Sequence, residues 1–220
     1  MPSFKVVQTA DGSNTLFSEQ YHAHYHSTNG ALQESLHVFI KNGFDYISLN
    51  EIKILEVGFG TGLNATLTAS SAKEKKRSTQ YTGIDLYPPD ENTLSELNYT
   101  SILNQQDTEG WKKIISAKWG EEKRINEYFL LKKINADFID LPLDDGYSLI
   151  YFDAFAPDDQ PEMWTLNVFE KLYQATLPNG LLITYCSKGI VKRALRESGY
   201  TVERLPGPPG KRHIIRATKR

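Results

Sequence analysis

The chain is short of everything that staples or anchors a protein from outside its core. Its 220 residues include one cysteine, Cys186, so neither an internal disulfide nor a cysteine-built zinc cage is available. Cys186 follows an apolar run and reads as a packed thiol. No apolar stretch approaches the ~18 residues of a spanning helix. The opening Met1-Pro2-Ser3-Phe4-Lys5 lacks the charged-then-apolar order of a secretory peptide, so a cytoplasmic protein with no membrane contact is expected. An excess of one charge is missing too, with 25 Lys/Arg against 27 Asp/Glu. What is present, 40% hydrophobic and 24% charged residues, is the composition of an ordinary globular chain. At roughly 150 residues per domain the length holds one large domain and excludes two full-sized enzymes.

The charge balance conceals an asymmetry. From Cys186 to Arg220 ten Lys/Arg face two acids, a net of +8, which leaves −10 on the remainder. Such a division points to a local surface for a polyanion.

In chain order, residues 1–50 show no clear strand and helix unit, but Leu32, Leu36, Phe39 and Ile40 recur at helical spacing after Asn29-Gly30. They are expected to form a segment packed on a domain of residues 51–220. That domain opens with the apolar run 52–57, a glycine turn and a helix from Leu63. Further strands are expected at 81–85, 128–134, 147–152 and 181–186, with helices at 162–175 and 189–198 and a polar, helix-prone insert at 86–127. The alternation implies an α/β, doubly wound, mostly parallel sheet. Strands 200–205 and 213–217 are joined only by Pro206-Gly207-Pro208-Pro209-Gly210. A connection so short holds no crossover helix, so this pair is expected to be antiparallel.

Ligands of such sheets sit beyond the carboxyl ends of the strands, and here each of the first four strands ends in a distinctive residue. Gly58, Gly60 and Gly62 allow a sharp turn and a close backbone approach. Asp85 follows the turn by 23 residues, where a carboxylate accepts the hydroxyls of a ribose. The dinucleotide pattern G-x-G-x-x-G would require glycine at Leu63. The G-x-G-x-G found instead disfavours a pyrophosphate-bearing cofactor and a nicotinamide oxidoreductase, and favours S-adenosylmethionine. Asp137, with Phe138 beside it, is placed to bond an adenine amino group and cover its face, or else to cap a turn. His22, His24 and His26 alternate, but no carboxylate at suitable spacing completes a metal site, and none is expected.

The run Leu55-Glu56-Val57-Gly58-Phe59-Gly60-Thr61-Gly62-Leu63-Asn64 resembles the first motif of class I methyltransferases, and its Gly-Phe-Gly-Thr-Gly-Leu-Asn form is similar to the methyltransferase domain of the MnmC family. The segments Phe152-Asp153-Ala154-Phe155-Ala156-Pro157, Tyr185-Cys186-Ser187-Lys188-Gly189, Gly207-Pro208-Pro209-Gly210-Lys211-Arg212 and Tyr25-His26-Ser27-Thr28-Asn29-Gly30 extend the similarity over nearly the whole chain. The resemblance implies a Rossmann-like, seven-stranded sheet with its last strand antiparallel. It also implies a pocket for S-adenosylmethionine at Glu56, Gly58, Gly60, Gly62, Asn64, Asp85, Asp137 and Phe138. The implied reaction is methylation of the aminomethyl group on the wobble uridine of tRNA; methylation of another amine, in a small molecule or protein, is the alternative. Many members carry a fused oxidase. At 220 residues the chain is expected to act as a standalone methyltransferase, with separate upstream enzymes supplying the amine.

In that reaction the attacking amine has to be neutral. Asp153, after the fourth strand of the domain, is the expected catalytic residue, orienting the amine or taking up its proton. Phe155 and Pro157 are expected to wall the target base in the tRNA anticodon region. Lys188, Arg193, Lys211 and Arg212, with Lys192 and Arg196, are expected to meet phosphates.

Overall fold

In the computed structural model, which describes residues 3–220, the chain begins with a small antiparallel sheet that sequence periodicity did not foretell. Strands β1 (Phe4–Gln8), β2 (Asn14–Ser18) and β3 (Ala23–His24) pair in that order. Their runs are short and half-buried, with no sustained alternation to betray them. Helix α1 (Ala31–Ser35) follows and continues over Leu36–Phe44 with π-type hydrogen bonds. The longer i→i+5 pitch turns Val38, Phe39, Ile40 and Phe44 inward and leaves Leu36 exposed, which corrects the α-helical spacing expected for Leu36.

The main sheet is built from β4 (Glu51–Val57), helix α2 (Leu63–Glu74), β5 (Ser78–Asp85), short helices α3 (Glu91–Ser95), α4 (Tyr99–Ile102) and α5 (Gln105–Ile115), then β6 (Glu122–Asn126), β7 (Phe129–Asn135) and β8 (Tyr147–Phe152). A 3₁₀ turn at Pro161–Trp164, helix α6 (Leu166–Ala175), β9 (Thr176–Thr184), helix α7 (Gly189–Glu197), β10 (Thr201–Pro206) and β11 (His213–Thr218) complete the chain. Strand order is β10-β11-β9-β8-β4-β5-β7-β6. The pairs β7/β5, β5/β4, β4/β8 and β8/β9 are parallel. The β10/β11 pair is antiparallel, as its short connection requires. The sheet has eight strands where seven were expected. The additional β6 is an antiparallel edge strand beside β7, and its polar, exposed sequence carries no apolar pattern.

Each face of the sheet has its own core. Leu55, Ile150 and Phe152 pack against α6 and α7 on one face. Ile54, Tyr81 and Tyr151 pack against α2 and the π segment on the other. At about 1.5–3 kcal/mol for each large apolar side chain removed from water, these layers hold the strands in register. A third cluster, with Leu16, Ala31, Leu63, Tyr99 and Trp111, seats the N-terminal sheet against α2 and the 86–127 insert. Asn98 reinforces it by accepting the Asn14 N–H and donating to the Gly12 carbonyl, both at 2.8 Å.

Register then positions the functional edge. Val57 stands opposite Ile84 on one side and Phe152 on the other, and Asp85 opposite Asn135. The turn at Gly58, the carboxylates of Asp85 and Asp153, and the Asp137 loop therefore emerge side by side. β4 lies between β5 and β8, the switch point where open parallel sheets bind ligands.

Candidate active site

A cleft of about 430 Å³ opens at this edge, within the range of small-molecule sites. Its floor is the turn after β4. Gly58 and Gly60 adopt φ of +90° and +54°, a region disfavoured for residues with a Cβ. A Cβ on Gly58 would stand 2.5 Å from the Asp153 carbonyl oxygen, and one on Gly60 would stand 2.8 Å from the Tyr25 ring. The turn thus brings bare backbone to the cleft. Gly62 begins α2 with a left-handed φ and lies outside the lining.

Asp85, half-buried at the end of β5, accepts the N–H of Gly60 at 2.8 Å through one oxygen and that of Tyr87 at 3.0 Å through the other. Burial pushes its carboxyl up to about 6, against the opposing pull of these two donors. Each oxygen keeps a lone pair for a ligand hydroxyl. Phe138 is buried in the wall, and Asp137 beside it accepts the Ile139 N–H at 2.8 Å, so it does turn the loop while facing the cleft.

Asp153 follows β8, a strand buried along its whole length. Its N–H donates to the Val57 carbonyl at 2.9 Å, tying it to the end of β4. Its side chain is held by Asn64 of α2, whose amide nitrogen donates at 2.9 Å both to Asp153 Oδ2 and to Glu56 Oε1. Burial, reinforced by the Glu34 carboxylate, raises the Asp153 carboxyl to about 7, while Asn64 and Lys211 oppose the rise. Glu56 is wholly buried behind the turn, on the α2 side of β4, and does not line the cleft. Burial drives its carboxyl well above the usual range. Its Oε2 has no hydrogen-bond partner among the described residues, a setting in which a carboxyl keeps its proton.

The opposite wall was not anticipated. β3 and its flanks carry Tyr21 and Tyr25 over the cleft, where Tyr21 stacks on Phe155 at 4.6 Å between ring centroids and Tyr25 meets it edge-on at 5.0 Å. Tyr185, after β9, donates to the Ala154 carbonyl at 2.9 Å. No periodicity announces these residues, because they come from loops and short strands. Pro157 is buried outside the lining. His26 accepts the same enclosure: it is buried beside Thr15 Oγ1 and pushed down to about 4 by desolvation, whereas His22 and His24 are exposed. Among the described residues no three His, Cys, Asp or Glu are grouped to hold a metal.

The basic residues divide. Lys211 lines the cleft, paired with Glu34 and 3.9 Å above the Tyr185 ring. Lys188 pairs with Asp158 outside the lining. Arg216 is buried against Glu203 and the Tyr46 ring, and Lys219 bonds to the Tyr173 carbonyl. Arg193, Arg196, Arg204 and Arg212 are exposed. Desolvation, then Arg204, Arg212 and Lys192, hold the His213 imidazole below its ordinary value, so those three cations share one patch. Cys186 is buried, and no helix among the described residues is long and apolar enough to cross a membrane.

Known proteins resemble this chain. The bifunctional tRNA 5-methylaminomethyl-2-thiouridine biosynthesis protein MnmC of Cupriavidus necator is 30% identical over 220 residues, covering 89% of this chain and 31% of that protein. The protein of the same name from Marinomonas sp. is 27% identical over 215 residues, covering 90% and 31%. The chain thus spans about a third of the length of these curated relatives. Among solved structures, MNMC2 from Aquifex aeolicus superposes with a TM-score of 0.80 at 24% identity, over 99% of this chain and 70% of that one. Spermidine synthase from Thermotoga maritima reaches 0.62 at 10% identity, over 100% and 70%. Both share the fold. The profile of a family described as S-adenosyl-L-methionine-dependent methyltransferase matches residues 111–220, which carry strands β6 to β11, Asp137 and Asp153. With its G-x-G-x-G turn, its Asp85 carboxylate and that match, the chain belongs to the S-adenosyl-L-methionine-dependent methyltransferases.

Proposed function

We propose that the protein methylates the aminomethyl group on the wobble uridine of tRNA, an amine installed by a preceding reaction. The observation that carries this reading is the placement of Asp153. It is a half-buried carboxylate fixed by Asn64, raised to about 7, at the foot of a cleft whose mouth is lined by aromatic rings. The names of the MnmC relatives supply the substrate.

The residues present fit S-adenosylmethionine. The bare turn at Gly58 and Gly60 admits the close approach of a ligand, Asp85 offers lone pairs to ribose hydroxyls, and Phe138 and Asp137 suit an adenine face and edge. Glu56 and Gly62 support this pocket from behind. When bound, the cofactor supplies an electrophilic methyl group on a positively charged sulfur. Asp153 as carboxylate attracts an incoming ammonium, accepts its proton and leaves the nitrogen lone pair free. Asn64 holds the carboxylate in place through these events. Tyr21, Tyr25 and Phe155 wall a base already unstacked in an anticodon loop, and their enclosure excludes water. The patch of exposed Arg204 and Arg212 and half-buried Lys192, with Arg193, meets backbone phosphates.

Incubating the protein with S-adenosylmethionine and tRNA bearing 5-aminomethyluridine, then digesting to nucleosides for mass spectrometry, tests the reading. A mass gain of one methyl on that nucleoside is expected. Methylation at another nucleoside, or transfer to free amines but not to tRNA, refutes it.

A further inference from the structure

Lys211 does not stand on the phosphate-facing surface. It reaches into the cleft from the loop between β10 and β11, and its ammonium is taken up by Glu34, itself 7% exposed in its side chain. Glu34 is pinned by a second bond, the Ser27 N–H donating to its Oε2 at 2.8 Å. The Lys211 ammonium also stands 3.9 Å above the Tyr185 ring, and the Tyr185 hydroxyl is tied to the carbonyl of Ala154, the neighbour of Asp153. An ion pair is therefore held at a fixed place in the wall that Asp153 shares, although its partners lie 177 residues apart in the chain.

We propose that Lys211 and Glu34 are positioning residues for methyl transfer, a fixed pair of opposite charges that sets the protonation of Asp153. Lys211 favours the carboxylate, and Glu34 restrains Lys211 and opposes it. Both act on Asp153 through space, without touching the amine. This rests on the reading of Asp153 as the group that receives the amine's proton.

The side chains that act on the Asp153 carboxyl itself are Glu34, Asn64 and Lys211, and the other titratable groups around this part of the cleft come from several elements. Glu56 comes from β4, Asn64 from α2, Asp85 from β5, Asp159 from the loop after β8, Tyr185 from the residue after β9, and Glu34 and Lys211 from the two ends of the chain. Glu56 is wholly buried, and burial drives its carboxyl well above the usual range. Tyr185, raised by burial and by Asp153, is neutral. The charges that act on Asp153 are those of the pair, one of each sign, in a cleft that all three residues line and where screening is weak. Glu34 raises the Asp153 carboxyl and Lys211 lowers it.

The two single variants are expected to move Asp153 in opposite directions, which distinguishes an electrostatic role from a latch. In protein labelled with ¹³C at aspartate carboxyls, with the Asp153 resonance assigned by its loss in D153N, Lys211→Met should raise the titration midpoint of Asp153 by the order of one pH unit. Glu34→Gln, which keeps an oxygen to accept the Ser27 N–H, should lower it similarly. The double variant should return near the wild-type value, and Lys211→Arg should leave it unmoved. The acid limb of the kcat/KM profile for methyl transfer should follow the same order. Shifts in the same direction, or lower melting temperatures with an unmoved midpoint, overturn the proposal and leave the pair a mechanical strap. The titration needs no substrate. Shifts as expected in a protein that fails to methylate tRNA would therefore refute the substrate reading while sustaining the control of Asp153.

Discussion

The two ends of the cleft are made of different material. The end at β4 and β5, assigned to the cofactor, is mostly backbone: a turn without side chains and one carboxylate held by two main-chain N–H groups, drawn largely from residues 57–64 and 84–87. The end at Asp153, assigned to the amine, is mostly side chains, brought from Tyr21, Tyr25, Glu34, Asn64, Phe155, Tyr185 and Lys211. A backbone-built site is fixed by conformation, so its weak points are its glycines. A side-chain-built site is fixed by charge and packing, so its weak points are single substitutions at distant places in the chain.

Substitutions should separate the two ends. The largest effect is expected for Asp153→Ala, a loss of ~10²–10⁴ in transfer rate, with calorimetric affinity for S-adenosylhomocysteine within a few-fold. A comparable loss of cofactor affinity would break the division. The sign of the pH dependence follows from the same residue. Below about 7 Asp153 holds its proton and cannot take another, so activity should rise as pH passes up through 7. Because the folded value lies above the ordinary carboxyl value of 3.8, the fold binds this proton more tightly than the unfolded chain does. Ionising Asp153 therefore costs stability as pH rises from about 4 to 7. Asp153→Asn should accordingly melt higher than the wild type at pH 8 and lose that advantage near pH 4.

Gly58 joins the two ends, because its missing Cβ makes room for the Asp153 carbonyl. Gly58→Ala should cost roughly 1–3 kcal/mol of backbone strain and weaken both cofactor affinity and transfer. A variant that lost affinity alone would show that the turn moves independently of Asp153. Tyr21→Ala should raise the KM for tRNA a few-fold, from about 1 kcal/mol of lost stacking, without altering S-adenosylhomocysteine binding. The smallest effect is expected for Arg193→Ala, an exposed cation outside the cleft: near-unchanged affinity at low salt, with the log–log salt slope of tRNA binding reduced by about 1.

Much of the cofactor end was legible in the sequence because it is local. Apolar run, glycine turn and helix follow one another without interruption, and Asp85 ends and Asp137 follows strands whose apolar patterns are plain. The amine end was legible only at Asp153 and Phe155. Tyr21 and Tyr25 flank a two-residue strand with no pattern to read. Lys211, counted among ten basic residues, shows its distinct place only through its pairing with a glutamate from the other end of the chain. β6 and the N-terminal sheet were hidden for a similar reason, since exposed or half-buried strands carry little hydrophobic signal.

The sequence by itself determined the α/β class, the succession of the five parallel strands along the chain, the antiparallel closing hairpin and the freedom of the glycine turn, all of which depend on local periodicity and on the steric freedom of single residues. Tertiary structure alone decided that Glu56 lies behind the pocket, that the N-terminal segment walls the cleft, and that Lys211 leaves the basic group to pair with Glu34 in the cleft that Asp153 also lines. Those outcomes depend on which distant side chains the packed layers bring within a few ångströms of one another, and electrostatic interaction there follows distance and burial, which sequence order does not set.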